Sequence, residues 1–352
     1  SFQFPHLPPA KYELSAVLDG FQTYTRNVDV DLGRTVTVSF VMQIGAVTEV
    51  IEVTAEAPLV DVTSSVTGIT VSTDDLNAKM PLGREATQVA LLAPATTQGD
   101  SAFDGGTRGR TPGQNLASLG GASVAENSYQ VNGLNITNFR NGLGSTMVPF
   151  EFVEEMQIKT GGYEAEFGRS TGGIINMVTK SGSNSFHGTV NGYFYPESLQ
   201  EQEPDVYFAD NQNEIDESLE GNATISGPIW RDKLFFFGFV RYTDDFDTII
   251  DADEDGAPGS GQIEQRVNTS PYWGGKIDWN ITPSHRIEGT FISDAVEVEQ
   301  TVYEYDRTGG TGRGDVIGEG ILNRGGNNYI GKYTGIFGQN FLLSAQYGKN
   351  EF

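Results

Sequence analysis

Residues 151–188 read EFVEEMQIKTGGYEAEFGRSTGGIINMVTKSGSNSFHG, and this stretch decides the fold because two kinds of chain meet in it. Upstream, short apolar runs are broken by glycine clusters. Downstream, from Phe186, residues alternate in character for about ten positions at a time, the pattern of a strand that shows lipid only one of its faces. The junction marks where a compact glycine-rich domain gives way to a series of membrane strands.

Outward from Phe186 the runs are Phe186 to Tyr195, Asn222 to Ile229, Lys233 to Tyr242, Ser270 to Trp279, Arg286 to Val298, Asn328 to Phe337 and Phe341 to Gly348. Their connections sort into two kinds. Those after the first, third and fifth runs are long and mostly acidic, whereas Trp230-Arg231-Asp232, Asn280 to His285 and Gly338-Gln339-Asn340 are tight turns. Outer-membrane barrels have short periplasmic turns and longer extracellular loops, so the alternation predicts both the fold and its direction: a large antiparallel transmembrane β-barrel. Aromatic residues agree. Tyr193, Phe194 and Tyr195 end the first run, Phe235 to Phe237 begin the third, and Tyr272, Trp273 and Trp279 bracket the fourth. Such rings favour the membrane–water boundary. An open sheet of this size would leave unsatisfied backbone groups in lipid. The expectation is therefore a protein that continues past Phe352 until the sheet can close.

Composition limits the other classes. A hydrophobic fraction of 37% with 44 glycines suits a β-rich, loop-rich chain. No window approaches 18 consecutive apolar residues, which excludes a transmembrane helix and leaves a β-barrel open. The absence of cysteine removes disulfides and thiolate metal sites. A net charge of −25 argues against nucleic acid, whose backbone would be repelled. The acidic residues crowd into Glu197 to Glu220 and Asp244 to Asp255, where solvated loops are expected.

Several motifs fit one family. In the opening stretch these are Gly161-Gly162-Tyr163, Ala165-Glu166-Phe167-Gly168-Arg169, Gly172-Gly173 and Thr179-Lys180-Ser181-Gly182. Further on, Ser226-Gly227-Pro228-Ile229 precedes Asp232-Lys233-Leu234-Phe235-Phe236-Phe237-Gly238. Together they resemble the Oar-like branch of the TonB-dependent outer-membrane receptors and transporters. Tyr129 to Gly133 resembles that family's Tyr-x-x-Asp-Gly strand and turn, with Asn132 in the aspartate position, and asparagine tolerates the turn equally well.

The resemblance implies four parts. Residues 1–45 would be part of a periplasmic Ig-like β-sandwich of the carboxypeptidase-regulatory-like type, with Ser1 a trimmed boundary. Residues 46–58 would hold the TonB box and a linker, 59–182 an α/β plug domain, and 183–352 the first barrel strands. The TonB box would be Val50, Ile51, Glu52, Val53, Thr54 and Ala55, an extended segment that pairs with an edge strand of the TonB-type energy-coupling protein. A linker strand that finishes the sandwich is the other reading of the same residues. The plug motif would comprise Asn132, Gly133, Gly161, Gly162, Tyr163, Glu166, Gly168, Arg169, Gly172 and Gly173. The implied function is energised passage of an unidentified substrate across the outer membrane. The alternative is a structural or adhesive surface protein whose acidic loops bind cations.

Within residues 59–182, short helices are expected near Thr73 to Lys79, with Thr73 as cap, and near Arg84 to Leu92. Arg108, Arg110, Arg140 and Arg169 are candidates to hold the plug by pairing with carboxylates of the barrel wall. Asp251, Asp253 and Asp255 precede Gly256 at alternate positions, as in the opening of a calcium loop, but the twelfth position is Gln262 rather than glutamate. A calcium site and a plain acidic loop both fit. The glycine-rich GGTRGR lacks the lysine and hydroxyl residue of a phosphate loop. His6, His187 and His285 offer no zinc spacing. No serine elbow is present, and the chain is not read as an enzyme.

Overall fold

The computed structural model describes residues 4, 7, 10–30, 36–44, 50–52, 65–74, 76, 89–99, 116–138, 144–145, 148–163, 167–201, 215–252, 261–269, 271–306, 312–338 and 341–351. The amino-terminal part is a three-stranded sheet. β1 (Ala10–Ala16) and β2 (Thr23–Val30) form an antiparallel hairpin around Gly20, which adopts φ +84°, and β3 (Val50–Glu52) joins β2 in parallel. Tyr24 is buried and stacks on Phe40 at 4.3 Å.

The second unit is built on a mixed five-stranded sheet in the order β4-β9-β10-β7-β8, from β4 (Thr67–Ser72), β7 (Ser128–Val131), β8 (Leu134–Asn135), β9 (Val153–Gly161) and β10 (Ile174–Thr179). A side hairpin of β5 (Thr96–Gln98) and β6 (Ala117–Leu119) lies beside it. β10 runs parallel to β7 and antiparallel to β9. Both faces of the central strands are covered: β10 (IINMVT) reads as a largely apolar run, Ile158, Ile174 and Ile175 are fully buried, and β9 buries Glu155, Gln157 and Lys159 beside Met156 and Ile158. This is the plug. Its α-helical content among the described residues is limited to Thr73, Asp74 and Leu76 and to Val89 and Ala90, with short 3-10 turns at Val124–Glu126 and Phe150–Phe152. The Thr73 hydroxyl, expected as a helix cap, instead donates to the carbonyls of Val153 at 2.6 Å and Glu154 at 3.2 Å, fastening β4 to β9.

The wall is a ten-stranded antiparallel sheet. It runs through β11 (His187–Tyr195), β12 (Ile215–Trp230), β13 (Leu234–Ala252), β14 (Gly261–Asn268), β15 (Pro271–Thr282), β16 (His285–Ser293), β17 (Val296–Asp306), β18 (Gly312–Arg324), β19 (Asn327–Phe337) and β20 (Phe341–Lys349). Brief interruptions separate β14 from β15, β16 from β17 and β18 from β19, so the ten segments follow seven paths. At these breaks the sheet forks. The near half of β13, Leu234 to Tyr242, pairs with β15, and its far half, Asp245 to Ala252, pairs with β14.

Alternation along each strand sorts the side chains. Val190, Phe194, Ile225, Ile229, Val240, Trp273, Ile277, Trp279, Phe341 and Leu343 are exposed on one face. Asn222, Ser226, Phe237, Phe239, Tyr272, Lys276, Asp278, Thr290 and Asn328 are buried on the other, toward the plug. An apolar outer face and a polar inner face are the signature of a membrane barrel.

The strands run further than the sequence led one to expect. Asp216, Glu217, Glu220, Asp244, Asp245, Asp247 and Asp251, expected in solvated loops, lie within β12 and β13. Beyond the apolar band both faces of the sheet are free to be polar, so the alternation that marks a lipid-facing strand disappears while the backbone ladder continues. The connection between the fifth and sixth runs is likewise largely strand, β17 paired with β18. Residues 36–43 are irregular in backbone, tied to β2's approach by the Gln22 N–H, which donates to the Gln43 carbonyl at 2.9 Å.

Candidate functional site

The plug meets the wall through one turn, one aromatic seat and one charged cluster. The turn is Asn132-Gly133 between β7 and β8. Its backbone is left-handed at both residues, φ +50° and +82°, which is the two-residue hairpin geometry that Asn-Gly favours. The Asn132 side chain then acts as a hub. Its Nδ2 donates to Thr179 Oγ1 at 2.9 Å and to Thr290 Oγ1 of β16 at 3.2 Å, while its Oδ1 accepts from the Thr179 N–H at 3.1 Å. Its carbonyl accepts from Gln346 Nε2 of β20 at 2.9 Å. One turn is thereby tied to two wall strands. Gly348 of β20 completes the contact, since a Cβ there would stand 2.2 Å from Leu134 Cδ2.

The seat is aromatic. Phe152 is fully buried, with its ring 4.6 Å from Phe239 and 5.5 Å from Phe237 of the wall. Burying such a side chain contributes roughly 2–3 kcal/mol.

The charged cluster lies on the inner face of β15 and β16. Lys276 and Asp278 are each only 3% exposed. Lys276 Nζ lies 3.6 Å from Asp278, 3.4 Å from Glu288 and 3.0 Å from Ser181 Oγ at the end of the plug. Arg286 bonds Asp278 at 2.7 Å and Glu288 at 3.1 Å. Next to it, Lys180 pairs with Asp74 at 3.0 Å. Burial pushes the Glu154 carboxyl above its ordinary range; Lys180 and Lys276 pull it down and Asp74 pushes it further up. Burial likewise raises the Tyr12 phenol on β1, opposed by the Arg286 charge.

The glycine motif has steric causes. A Cβ at Gly173 would lie 2.4 Å from Leu119 Cδ1, and one at Gly172 would lie 2.6 Å from Asn127 Oδ1. Gly162 has φ +67°, and a Cβ there would come within 2.2 Å of the Ser65 carbonyl. Gly161 meets nothing within 4 Å. The Tyr163 hydroxyl donates toward the carbonyls of Ser170 at 3.2 Å and Gly172 at 3.1 Å, closing the loop. Gly168 and Arg169 are exposed, with Arg169 at φ +67°, and Glu166 lies outside the described residues.

Of the six expected coupling residues, Val50, Ile51 and Glu52 pair with Thr23, Tyr24 and Thr25, as a strand that finishes the amino-terminal sheet would. β3 is the last strand in that sheet's order. Val53, Thr54 and Ala55 lie outside the described residues. Asp251 pairs with Gln262 across a strand hairpin, Asp253 and Asp255 lie outside the described residues, and among those described no cluster of metal-binding side chains occurs.

Arg108, Arg110 and Arg140 also lie outside them. The cations seen at the plug boundary are Lys276, Arg286 and Lys180, which the sequence reading did not single out. Lys276 and Asp278, and Arg286 and Glu288, occupy alternate positions of strands otherwise lined with lipid-facing residues, and that spacing is the signal that would have found them. His187 is exposed and its Nδ1 lies 3.1 Å from the Ser185 carbonyl; His285 Nδ1 lies 2.7 Å from the Tyr333 hydroxyl.

Known proteins share this architecture. The outer membrane beta barrel domain family matches residues 178–250. The TonB-dependent transporter Oar of Myxococcus xanthus is 30% identical over 316 residues, which is 82% of this chain and 29% of the relative. The ferrienterobactin receptor of Escherichia coli (strain K12) is 26% identical over 144 residues, covering 38% of this chain and 19% of the relative. Among solved structures, the ferric enterobactin receptor PfeA of Pseudomonas aeruginosa aligns with TM-score 0.51 and 15% identity, over 82% of this chain and 41% of its own. The siderophore receptor PirA of Acinetobacter baumannii aligns with TM-score 0.50 and 18% identity, over 81% and 40%. At those identities the structural likeness speaks for the fold alone.

Proposed function

The chain is an Oar-like member of the TonB-dependent outer-membrane receptors and transporters, and from that premise we propose that it carries a substrate through a plugged barrel, energised through residues 50–55. The relatives are transporters and receptors rather than enzymes. The observation that carries the reading is the seating of the plug. Its hold on the wall is a limited set of hydrogen bonds, one aromatic seat and one ionic cluster, which force can release.

The route for that force runs along the chain. β3 is an edge strand, the form a partner strand adds to by main-chain hydrogen bonding. Pulling on 50–55 would draw on β4, which is stitched to β9 through Thr73, and then on the Asp74–Lys180 pair beside the wall's charged cluster. In this reading the tight-turn rim faces the periplasm and the acidic strand extensions face outward.

The test is binding of a TonB carboxy-terminal domain to the full-length protein, with and without Val53→Pro, which removes a backbone donor from the paired strand. The expected result is binding that the proline abolishes. Absence of binding to the unaltered protein, with a TonB domain active on another receptor, would favour the structural surface protein instead.

A further inference from the structure

One row of wall residues stands immediately beyond the plug's aromatic seat. Asn222, Arg241 and Tyr272 face one another across β12, β13 and β15. The row shares the inner face with Phe239, two residues nearer the plug along β13, or about 7 Å at strand rise. Its polar atoms are organised by one carboxylate. Glu220, 6% exposed, takes the Arg241 Nη2 at 2.7 Å on one oxygen and the Asn222 Nδ2 on the other. Because that carboxylate only accepts, it fixes which way both partners turn.

Two atoms are left over. Arg241 Nε, a donor, and Asn222 Oδ1, an acceptor, are buried without a hydrogen-bond partner among the described residues, and Asn222 is only 3% exposed. A buried polar group in that condition costs about 1–3 kcal/mol, and here a donor and an acceptor are orphaned on facing positions of adjacent strands. Nearby on the same face, Asp245 accepts, among the described residues, from the neutral Ser218 and Asn268. The carboxylates of Asp245 and Asp294 both act on Tyr272.

We propose that this row is a cargo subsite that binds a peptide main chain, in a segment carrying basic side chains. The inference rests on the transporter reading above. A secondary amide presents one acceptor and one donor: its carbonyl accepts from Arg241 Nε–H, and its N–H donates to Asn222 Oδ1. The basic side chains meet the charge of Asp245. A neutral sugar is the poorer match. The Tyr272 ring, on which a sugar would stack, is already engaged by the Arg241 guanidinium, 5.6 Å from its centroid, and sugar hydroxyls could bond Asp245 but would leave its charge uncompensated.

The experiment passes a random-sequence hexapeptide pool, and separately a pool of neutral oligosaccharides, over the immobilised full-length protein and identifies what is retained by mass spectrometry. Two variants are run beside it: Arg241→Lys, which keeps a cation for Glu220 but lacks Nε–H, and Asn222→Leu. Heat-modifiable migration checks that each barrel is folded. Retention of peptides enriched in lysine and arginine, reduced at least tenfold in both variants, is the expected result. Retention of oligosaccharides instead, retention of neither pool (which leaves the two atoms to water), or equal retention by wild type and variants would overturn the proposal. TonB-domain binding measured on the same preparation separates the failures. Intact binding without peptide retention sinks the subsite alone, and lost binding with peptide retention sinks the energised reading alone.

Discussion

Replacing Asn132 by alanine should loosen the plug far more than replacing it by aspartate, although aspartate adds a charge. In the native turn the side chain bonds three partner groups, the Thr179 hydroxyl, the Thr290 hydroxyl and the Thr179 N–H. Each contributes about 1 kcal/mol net. The left-handed backbone at φ +50° costs alanine about 1 kcal/mol more than a residue that accepts it. The total for Asn132→Ala is about 4 kcal/mol, or roughly a thousandfold in the opening equilibrium of the turn. Aspartate keeps the accepted bond from Thr179 N–H, and the two threonine hydroxyls can rotate to donate to it, so Asn132→Asp should cost under about 1 kcal/mol. Amide hydrogen exchange of the full-length protein in detergent reads this directly, because the Thr179 and Asn132 N–H groups are held by Asn132 Oδ1 and the Met177 carbonyl. Exchange of both should rise by two to three orders of magnitude in the alanine variant and by less than tenfold in the aspartate variant. Alanine and wild type exchanging within threefold of each other would refute the claim that this side chain seats the plug.

Lys276→Met leaves Asp278, 3% exposed, with Arg286 as its remaining ion-pair partner among the described residues and removes the bond to Ser181. Because Arg286 still compensates Asp278, the loss should stay below the about 3 kcal/mol of an unpaired buried charge, and the temperature at which the barrel loses its folded migration on a gel should fall accordingly. Gly173→Ala should prevent stable folding of the plug, because its Cβ would lie 2.4 Å from Leu119 Cδ1 and 2.8 Å from the Lys159 carbonyl, whereas Gly161→Ala, with nothing within 4 Å, should leave proteolytic resistance near wild type. Glu154 sets a pH dependence. Its folded-state pKa lies above the unfolded value, so the native plug binds the proton more tightly, and plug stability should fall as pH rises between the two values and level off above them. Glu154→Gln should remove that slope in urea titrations across the acidic range and raise stability at neutral pH; an unchanged slope would contradict it.

Legibility in the sequence followed the membrane. Where a strand faces lipid on one side and the plug on the other, alternation is forced on it, and Lys233 to Tyr242 or Ser270 to Trp279 could be read directly from character. Past the apolar band the same strand meets no lipid, so nothing requires Asp244, Asp245 and Asp247 to alternate, and a paired strand reads as an acidic loop. The turn at Asn132 and the crowded Gly162 and Gly173 were legible for a different reason: a left-handed backbone or a missing Cβ leaves its mark on residue identity at a single position. The charged cluster was not. Lys276, Asp278, Arg286 and Glu288 are ordinary residue types whose meaning arises only when register sets Asp278 opposite Glu288 and folding brings Ser181 to Lys276. The same holds for Glu220, which looks like one more acidic residue until its two oxygens are seen to orient Arg241 and Asn222. The turn and the close approaches that seat the plug are written locally, but its ionic contact is not. The parts that would meet cargo are written across strands, which is why the architecture can be read without the substrate.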